Sequence, residues 1–245
     1  MLEYKKLLQI ILWEVLVNSV LNQLKGEVIV SSQAMPGEPL YDEKCMLAMM
    51  ESVIIGGAKV LRVAGTRDVR NAKNLGVTVI GLTKPDKLPE NWTNVVYITP
   101  TLKEVDELIN AGADIIAFDG TSRKRPNNCT LSEIIARIHE TGKLAMADIS
   151  TFEEGINCAK LGADIISTTL AGYTDESGKA GNTPDFELLE KLVNTINTPV
   201  ILEGRIWEQH EVKKAFDLGA YAVVIGSAIT RPQLITKRFM EYENA

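Results

Sequence analysis

Four copies of one short phrase recur along this chain of 245 residues at nearly even spacing: GAKVLRV from Gly57, GADIIAF from Gly112, GADIIST from Gly162 and GAYAVVIG from Gly219. Each opens with a glycine suited to end a helix in the left-handed conformation and runs into a β-branched segment of strand length. A period of about fifty residues is too long for one strand-plus-helix unit and fits two. Further strands do lie midway: VTVIGLT from Val77, KLAMADI from Lys143 and PVILEG from Pro199, with VIVSSQ from Val28 ahead of the series. The pattern therefore predicts eight strands alternating with helices.

The strands are continuous apolar runs, as in a parallel sheet covered on both faces. Such alternation admits an open doubly wound sheet or a closed barrel. Eight units favour closure, and VIVSSQAMPGEP lacks the G-x-G-x-x-G turn that would favour the open dinucleotide-binding fold. With 45% hydrophobic residues the chain can bury a large core, and its length matches the roughly 250 residues of a single (β/α)8 barrel. The expected fold is thus α/β, one TIM barrel over residues 25–245, preceded by a helical extension over residues 1–24. Three capping boxes mark helix starts: Thr101 with Glu104, Thr130 with Glu133 and Thr151 with Glu154.

In the extension, LLQIILWEVLV follows Lys5 and Lys6, as in a signal peptide. Gln9 and Glu14 break the apolar run, however, and no small-x-small cleavage site follows. The expectation is a packing helix that plugs the lower end of the barrel or joins a subunit interface. No stretch approaches the ~20 apolar residues of a membrane span. A net charge of −6 argues against an extended nucleic-acid footprint, which needs a basic face. Cys45, Cys129 and Cys158 show neither paired spacing nor C-x-x-C, so neither a disulfide framework nor a zinc site is expected and a reducing cytoplasm fits. The expected partner is a small molecule, not nucleic acid or membrane.

In a barrel of this kind functional residues sit where strands run into their following loops. Those positions hold Gln33, Arg62, Lys84, Asp119, Asp148, Thr168, Thr169, Glu203, Gly226 and Ser227. Glu203, directly after PVIL, should have a perturbed pKa near a low-dielectric interior. Arg62 reads equally as an ion-pair partner of Asp119 or Asp148, and Asp119 as the shaper of a turn with Gly120 and Thr121. Gly226 and Ser227, opening a short helix, together with Gly204 and Arg205, form a candidate phosphate cradle of backbone N–H groups, to which Arg231 adds a charge. The long stretch TTLAGYTDESGKAGNTPDF is a candidate lid carrying Tyr173. The run Arg123, Lys124 and Arg125 reads as solvated, or as weak steering of an anion. His139 and His210 fall in helical segments away from this mouth.

The segments IVSSQA, LRVAG, GLTK, YITPT, KEVDEL, RKRP, LAMADIST, STTLAGYT, VILEGRI and IGSAITRPQLITKRF, in this order from about Lys25 to Phe239, resemble N-acetylmannosamine-6-phosphate 2-epimerases. That resemblance implies a TIM barrel interconverting N-acetylmannosamine 6-phosphate and N-acetylglucosamine 6-phosphate in sialic acid catabolism, without metal or organic cofactor, as a homodimer. It also implies that Gln33, Arg62, Lys84, Asp148, Glu203 and Arg231 occupy substrate and catalytic positions. The chain departs from the family pattern at Pro85, where arginine is usual, at Ser227, commonly glycine, and at Ser32, often cysteine.

Inverting a carbon without oxidation means taking its proton and returning one to the other face, which calls for an acid/base pair. Lys84 and Glu203 are the natural pair, since strands three and seven face each other across an eight-strand ring. Arg62 would stabilise developing negative charge, and Asp148 would orient Lys84 or bind a sugar hydroxyl. Two other functions fit the same mouth: a Schiff-base aldolase using Lys84, and a noncatalytic phosphosugar binder. Metal-dependent epimerisation is disfavoured, because no histidine or paired carboxylate lies at the strand ends in ligand spacing.

Overall fold

Each of the four phrase glycines has a positive φ: 107° at Gly57, 96° at Gly112, 95° at Gly162 and 92° at Gly219. Each thereby turns the chain from a helix end into a strand. The computed structural model describes residues 19–179 and 181–241. Its strands are β1 (Val28–Ser32), β2 (Val60–Ala64), β3 (Thr78–Leu82), β4 (Ile115–Asp119), β5 (Leu144–Asp148), β6 (Ile165–Ser167), β7 (Val200–Glu203) and β8 (Ala222–Ile225). All neighbours pair in parallel, and β8 returns to β1 to close the barrel.

The helices covering it are α1 (Glu43–Ile55), α2 (Thr66–Asn74), α3 (Leu102–Ala111), α4 (Leu131–Glu140), α5 (Phe152–Lys160), α6 (Phe186–Val193) and α7 (Gln209–Asp217). After β8 come a single turn, α8 (Ser227–Thr230), and then α9 (Pro232–Met240). All three expected capping boxes close, at α3, α4 and α5. At α7 half of such a box forms: the Glu211 carboxylate accepts from the Glu208 N–H at 3.0 Å, while the Glu211 N–H donates to the Glu208 carbonyl.

Period-two alternation divides the core in two. One set of buried residues packs between sheet and helices. The other fills the lumen, with Ile29, Val60, Ile80, Ile115, Leu144, Met146, Ile165 and Ile201 among its members. Continuing that register toward the strand ends brings polar groups into the lumen: Arg62 two residues beyond Val60, Asp119 beyond Ala117, Asp148 beyond Met146, Ser167 beyond Ile165 and Glu203 beyond Ile201. The upper mouth is therefore polar where β2, β4, β5, β6 and β7 reach it, while Leu82 of β3 and Val224 of β8 keep the lumen-facing series apolar.

The lower end is apolar. Residues 19–24 are helical, Leu24 is wholly buried among the lumen residues, and Val20 and Leu21 pack against the same set. Tyr221 donates its hydroxyl to the Leu21 carbonyl at 3.0 Å. Truncating a buried leucine of this kind costs about 2–5 kcal/mol. The rest of the expected extension, residues 1–18, lies outside the described residues. Among the described residues no helix is long and apolar enough to cross a membrane.

Candidate active site

A cavity of about 420 Å³ opens at the C-terminal mouth of the barrel, with Gln33, Lys84, Thr169 and Glu203 in its wall. Lys84 follows β3 and Glu203 ends β7, so the two reach one cavity from opposite sides of the ring. The Lys84 ammonium donates to Gln33 Oε1 at 2.8 Å, and Gln33 Nε2 donates in turn to Ser31 Oγ at 2.9 Å. Burial, reinforced by the nearby Arg62 cation, lowers the Lys84 pKa to about 8. Glu203 is shifted the other way: burial raises it, Arg62 opposes the rise and Asp148 adds to it. The two candidate proton carriers are thus drawn toward each other from opposite ends of the scale, as acid/base work near neutral pH requires.

Arg62 lies beneath them with only 1% of its surface exposed. Its Nη1 and Nη2 donate to the two oxygens of Asp148 at 3.1 and 2.6 Å. Its Nε has no hydrogen-bond partner and lies 3.4 Å from Glu203 Oε2. Burial works against the guanidinium charge, but Asp148 and Glu203 more than offset it. Thr169 completes the group: its Oγ1 lies 2.7 Å from Asp148 Oδ1 and 3.0 Å from Glu203 Oε2. The partner of Arg62 is therefore Asp148, and Asp148 is engaged by Arg62 and Thr169, with no bond to Lys84.

The candidate phosphate cradle lines the same cavity through Gly204, Arg205, Gly226, Ser227 and Arg231. Gly204 and Arg205 both have positive φ, 112° and 59°. The second is unusual for arginine and is held by side-chain contacts. Arg205 donates through Nε to Thr183 O at 2.8 Å and through Nη1 to Ala171 O at 2.7 Å, and lies 5.6 Å from the centre of the Tyr173 ring. Its guanidinium thus ties down the long β6–α6 loop, which leaves the backbone N–H as its means of meeting an anion. Ser227 and Ala228 carry first-turn N–H groups of α8, the kind a helix leaves unbonded. Arg231 is ion-paired to Glu38 at 2.9 Å, and Glu38 also accepts from the Met35 N–H at 2.8 Å.

A second lobe of about 400 Å³ adjoins the first, sharing Gln33, Lys84, Thr169, Tyr173 and Arg231, and has Met35, Leu88, Trp92, Tyr97 and Leu170 in its wall. Burial pushes the Tyr97 phenol up to about 12. The strand-end rule missed Trp92, Tyr97 and Glu38, since all three lie within loops rather than at strand ends.

Of the run Arg123, Lys124 and Arg125, only Lys124 is exposed as expected. Arg123 and Arg125 are not solvated: they are 7% and 5% exposed. Arg123 pairs with Asp119 at 2.7 Å and donates to Trp92 O and Thr93 O, while Arg125 sits over the Phe118 ring. The short turn Pro126–Asn128, with Asn127 and Asn128 at positive φ, follows this inward-turned segment. Asp119 shapes its turn as read, accepting from Thr121 N and Oγ1 at 3.0 and 2.6 Å. His139 lies on α4 and pairs with Asp164, and His210 lies on α7.

A family model described as "Putative N-acetylmannosamine-6-phosphate epimerase" matches residues 46–245. The chain belongs to this family. A relative from Clostridium perfringens, described as "Putative N-acetylmannosamine-6-phosphate 2-epimerase", is 50% identical over 224 residues, covering 91% of this chain and 99% of the relative. One so described from Caldanaerobacter subterraneus is 48% identical over 226 residues, 91% of this chain and 93% of the relative. The solved structure of the N-acetylmannosamine-6-phosphate 2-epimerase from Clostridium perfringens superposes with a TM-score of 0.85 at 49% identity, over 91% of this chain and 95% of that one. A thiamine phosphate pyrophosphorylase from Pyrococcus furiosus, at 15% identity and a TM-score of 0.58, shares the fold.

Proposed function

We propose that this protein inverts C2 of N-acetylmannosamine 6-phosphate to give N-acetylglucosamine 6-phosphate by proton transfer between Lys84, Glu203 and the substrate, without a cofactor. The observation that carries the reading is the placement of Lys84 and Glu203 on opposed strands of one cavity, with their pKa values displaced toward each other. C2 of an N-acylhexosamine is acidic only beside an open-chain C1 aldehyde. One member of the pair takes the C2 proton, and the C–H electron pair moves onto the C1 oxygen as an enolate. The other member delivers a proton to the opposite face as that electron pair returns to C2. The pair ends with its proton exchanged between partners, and solvent resets it.

The phosphate would be held by the N–H groups of Gly204, Arg205, Gly226 and Ser227, with Arg231 released from Glu38 to meet it. Gln33 would bind substrate as well as position Lys84. Arg62 would stabilise enolate charge, and Asp148 holds Arg62 in place. The second lobe suits the acetamido group. The wider reading is a cytoplasmic homodimer acting in sialic acid and amino-sugar catabolism.

The test is to incubate the purified protein with N-acetylmannosamine 6-phosphate and resolve the products by NMR. N-acetylglucosamine 6-phosphate should form, and borohydride should neither trap substrate on Lys84 nor inactivate the protein. Trapping would favour the Schiff-base reading, and binding without turnover would favour a sensor.

A further inference from the structure

Thr169 is asked for more hydrogen bonds than a hydroxyl can donate. Its Oγ1 has three oxygen neighbours: Asp148 Oδ1 at 2.7 Å, Ser167 Oγ at 2.9 Å and Glu203 Oε2 at 3.0 Å. A hydroxyl has one proton and two lone pairs. We infer that Thr169 is a positioning residue that keeps a proton on Glu203: its own proton goes to Asp148, and one of its lone pairs accepts the proton of the Glu203 carboxyl group. The inference rests on the reading of Glu203 as one of the two proton carriers, and assigns its state in the empty enzyme.

Both oxygens of Asp148 accept from the Arg62 guanidinium, so neither presents a hydrogen to Thr169. The shortest contact of Thr169 is to Asp148, and its proton belongs there. Were Glu203 a carboxylate, its Oε2 would then face an oxygen lone pair at 3.0 Å. With a proton on Oε2, the same distance becomes a hydrogen bond, and every contact of the Thr169 hydroxyl is satisfied. The Arg62 Nε agrees: it stops 3.4 Å from Oε2 without a hydrogen bond, whereas a guanidinium facing a carboxylate closes to about 2.7–2.9 Å.

Thr121, two strands over, shows the ordinary case. It donates to Asp119 Oδ1 at 2.6 Å and accepts from Arg123 Nε at 2.9 Å, one acceptor and one donor for one hydroxyl. The charged and titratable groups around Glu203 are Arg62 from β2, Asp148 from β5 and Lys84 from beyond β3. Arg62, Lys84 and any hydrogen bond donated by Thr169 favour the carboxylate, and burial, the largest influence, and Asp148 favour the acid. The alternative, in which Thr169 donates to Glu203, would hold the carboxylate down and leave Asp148 one bond short.

The test is infrared difference spectroscopy on the substrate-free full-length protein, titrated through neutral pH. The carboxylic-acid C=O band of Glu203 is identified by its shift in D2O and its loss in Glu203→Gln. The band is expected in wild type at about pH 7 and in Thr169→Ser, which keeps the hydroxyl. In Thr169→Val its midpoint should fall by about one pH unit or more, with the acid limb of kcat/KM moving by the same amount. An unchanged or raised midpoint in Thr169→Val overturns the inference, as does a wild type with no such band. The wild-type titration decides alone if Thr169→Val does not fold. Band without turnover supports this inference and breaks the epimerase reading, and turnover without the band breaks this inference alone.

Discussion

Asp119 and Asp148 sit side by side in register at the ends of β4 and β5, both wholly buried and both paired with a buried arginine. Their arginines come from different places. Arg123 lies four residues along the same loop, and each of its nitrogens meets an oxygen of Asp119, Thr121, Trp92 or Thr93. Arg62 comes from β2, across three strands of the ring, and keeps one N–H unmatched beside Glu203. A closed local pair stabilises a turn. A pair assembled across the barrel, with a donor left over beside Glu203, ties the floor of the candidate site to strands far apart in sequence.

The largest effects should come from the proton carriers. Lys84→Ala and Glu203→Ala should each lower kcat by about 10²–10⁴-fold, the range for removing a general acid or base. The double variant should fall short of the product of the two losses, because the residues act as one unit. Steady-state kinetics on variants of unchanged far-UV circular dichroism would check both points.

The two arginines provide the sharper test. Arg62→Met and Arg123→Met each strand a buried carboxylate, and each should lose about 3–5 kcal/mol in denaturant unfolding. Arg62→Met should also lose turnover in the fraction that remains folded, while Arg123→Met should keep kcat near wild type. Equal kinetic damage in both would erase the distinction between the pairs.

pH effects should be smaller and opposite for the two carriers. Between about 8 and the ordinary 10.5, the unfolded chain holds the Lys84 proton that the folded chain has released. Stability therefore rises with pH across that window, and Lys84→Met should remove the rise. Glu203 is raised, so above the ordinary 4.5 the folded chain keeps a proton that the unfolded chain loses. Stability falls there as pH climbs, and Glu203→Gln should remove the fall. Turnover should follow a bell whose upper limb lies near 8, since the pair must hold one proton between its members. Melting curves and kcat/KM across pH would show each slope.

The smallest effect is expected at Arg205. Arg205→Met removes two hydrogen bonds to the β6–α6 loop, and hydrogen exchange should speed up around Ala171 and Thr183. KM should rise more than kcat falls, because the variant loosens the wall of the cavity and leaves the proton carriers alone.

The barrel was legible because its information is local and repeated: a left-handed glycine and an apolar run recur four times, and period-two alternation places the last residue of a strand in the lumen. Lys84 and Glu203 followed from the rule that function sits where strands run into loops, and from strands three and seven facing each other. Arg62 was legible as a strand-end cation, but Asp148 rather than Asp119 as its partner depended on the ring closing. The Arg123–Lys124–Arg125 run misled for the converse reason: adjacent charges resemble a solvated face, which holds for Lys124 alone, while the carbonyls of Trp92 and Thr93, about thirty residues away, turn Arg123 inward. Thr169 stood out by position alone, since its role comes from three oxygens meeting, two of them from other strands. Glu38 gave no sequence signal beyond lying in the loop after Gln33.

The central claim is that C2 loses and regains a proton through Lys84 and Glu203. Its most direct test is to follow C2 of N-acetylmannosamine 6-phosphate by proton NMR in deuterated water, with Lys84→Ala and Glu203→Ala alongside. N-acetylglucosamine 6-phosphate carrying deuterium at C2, formed by wild type and lost in both variants, is the predicted result. Product that retains its original hydrogen, or turnover undiminished in either variant, would contradict the account.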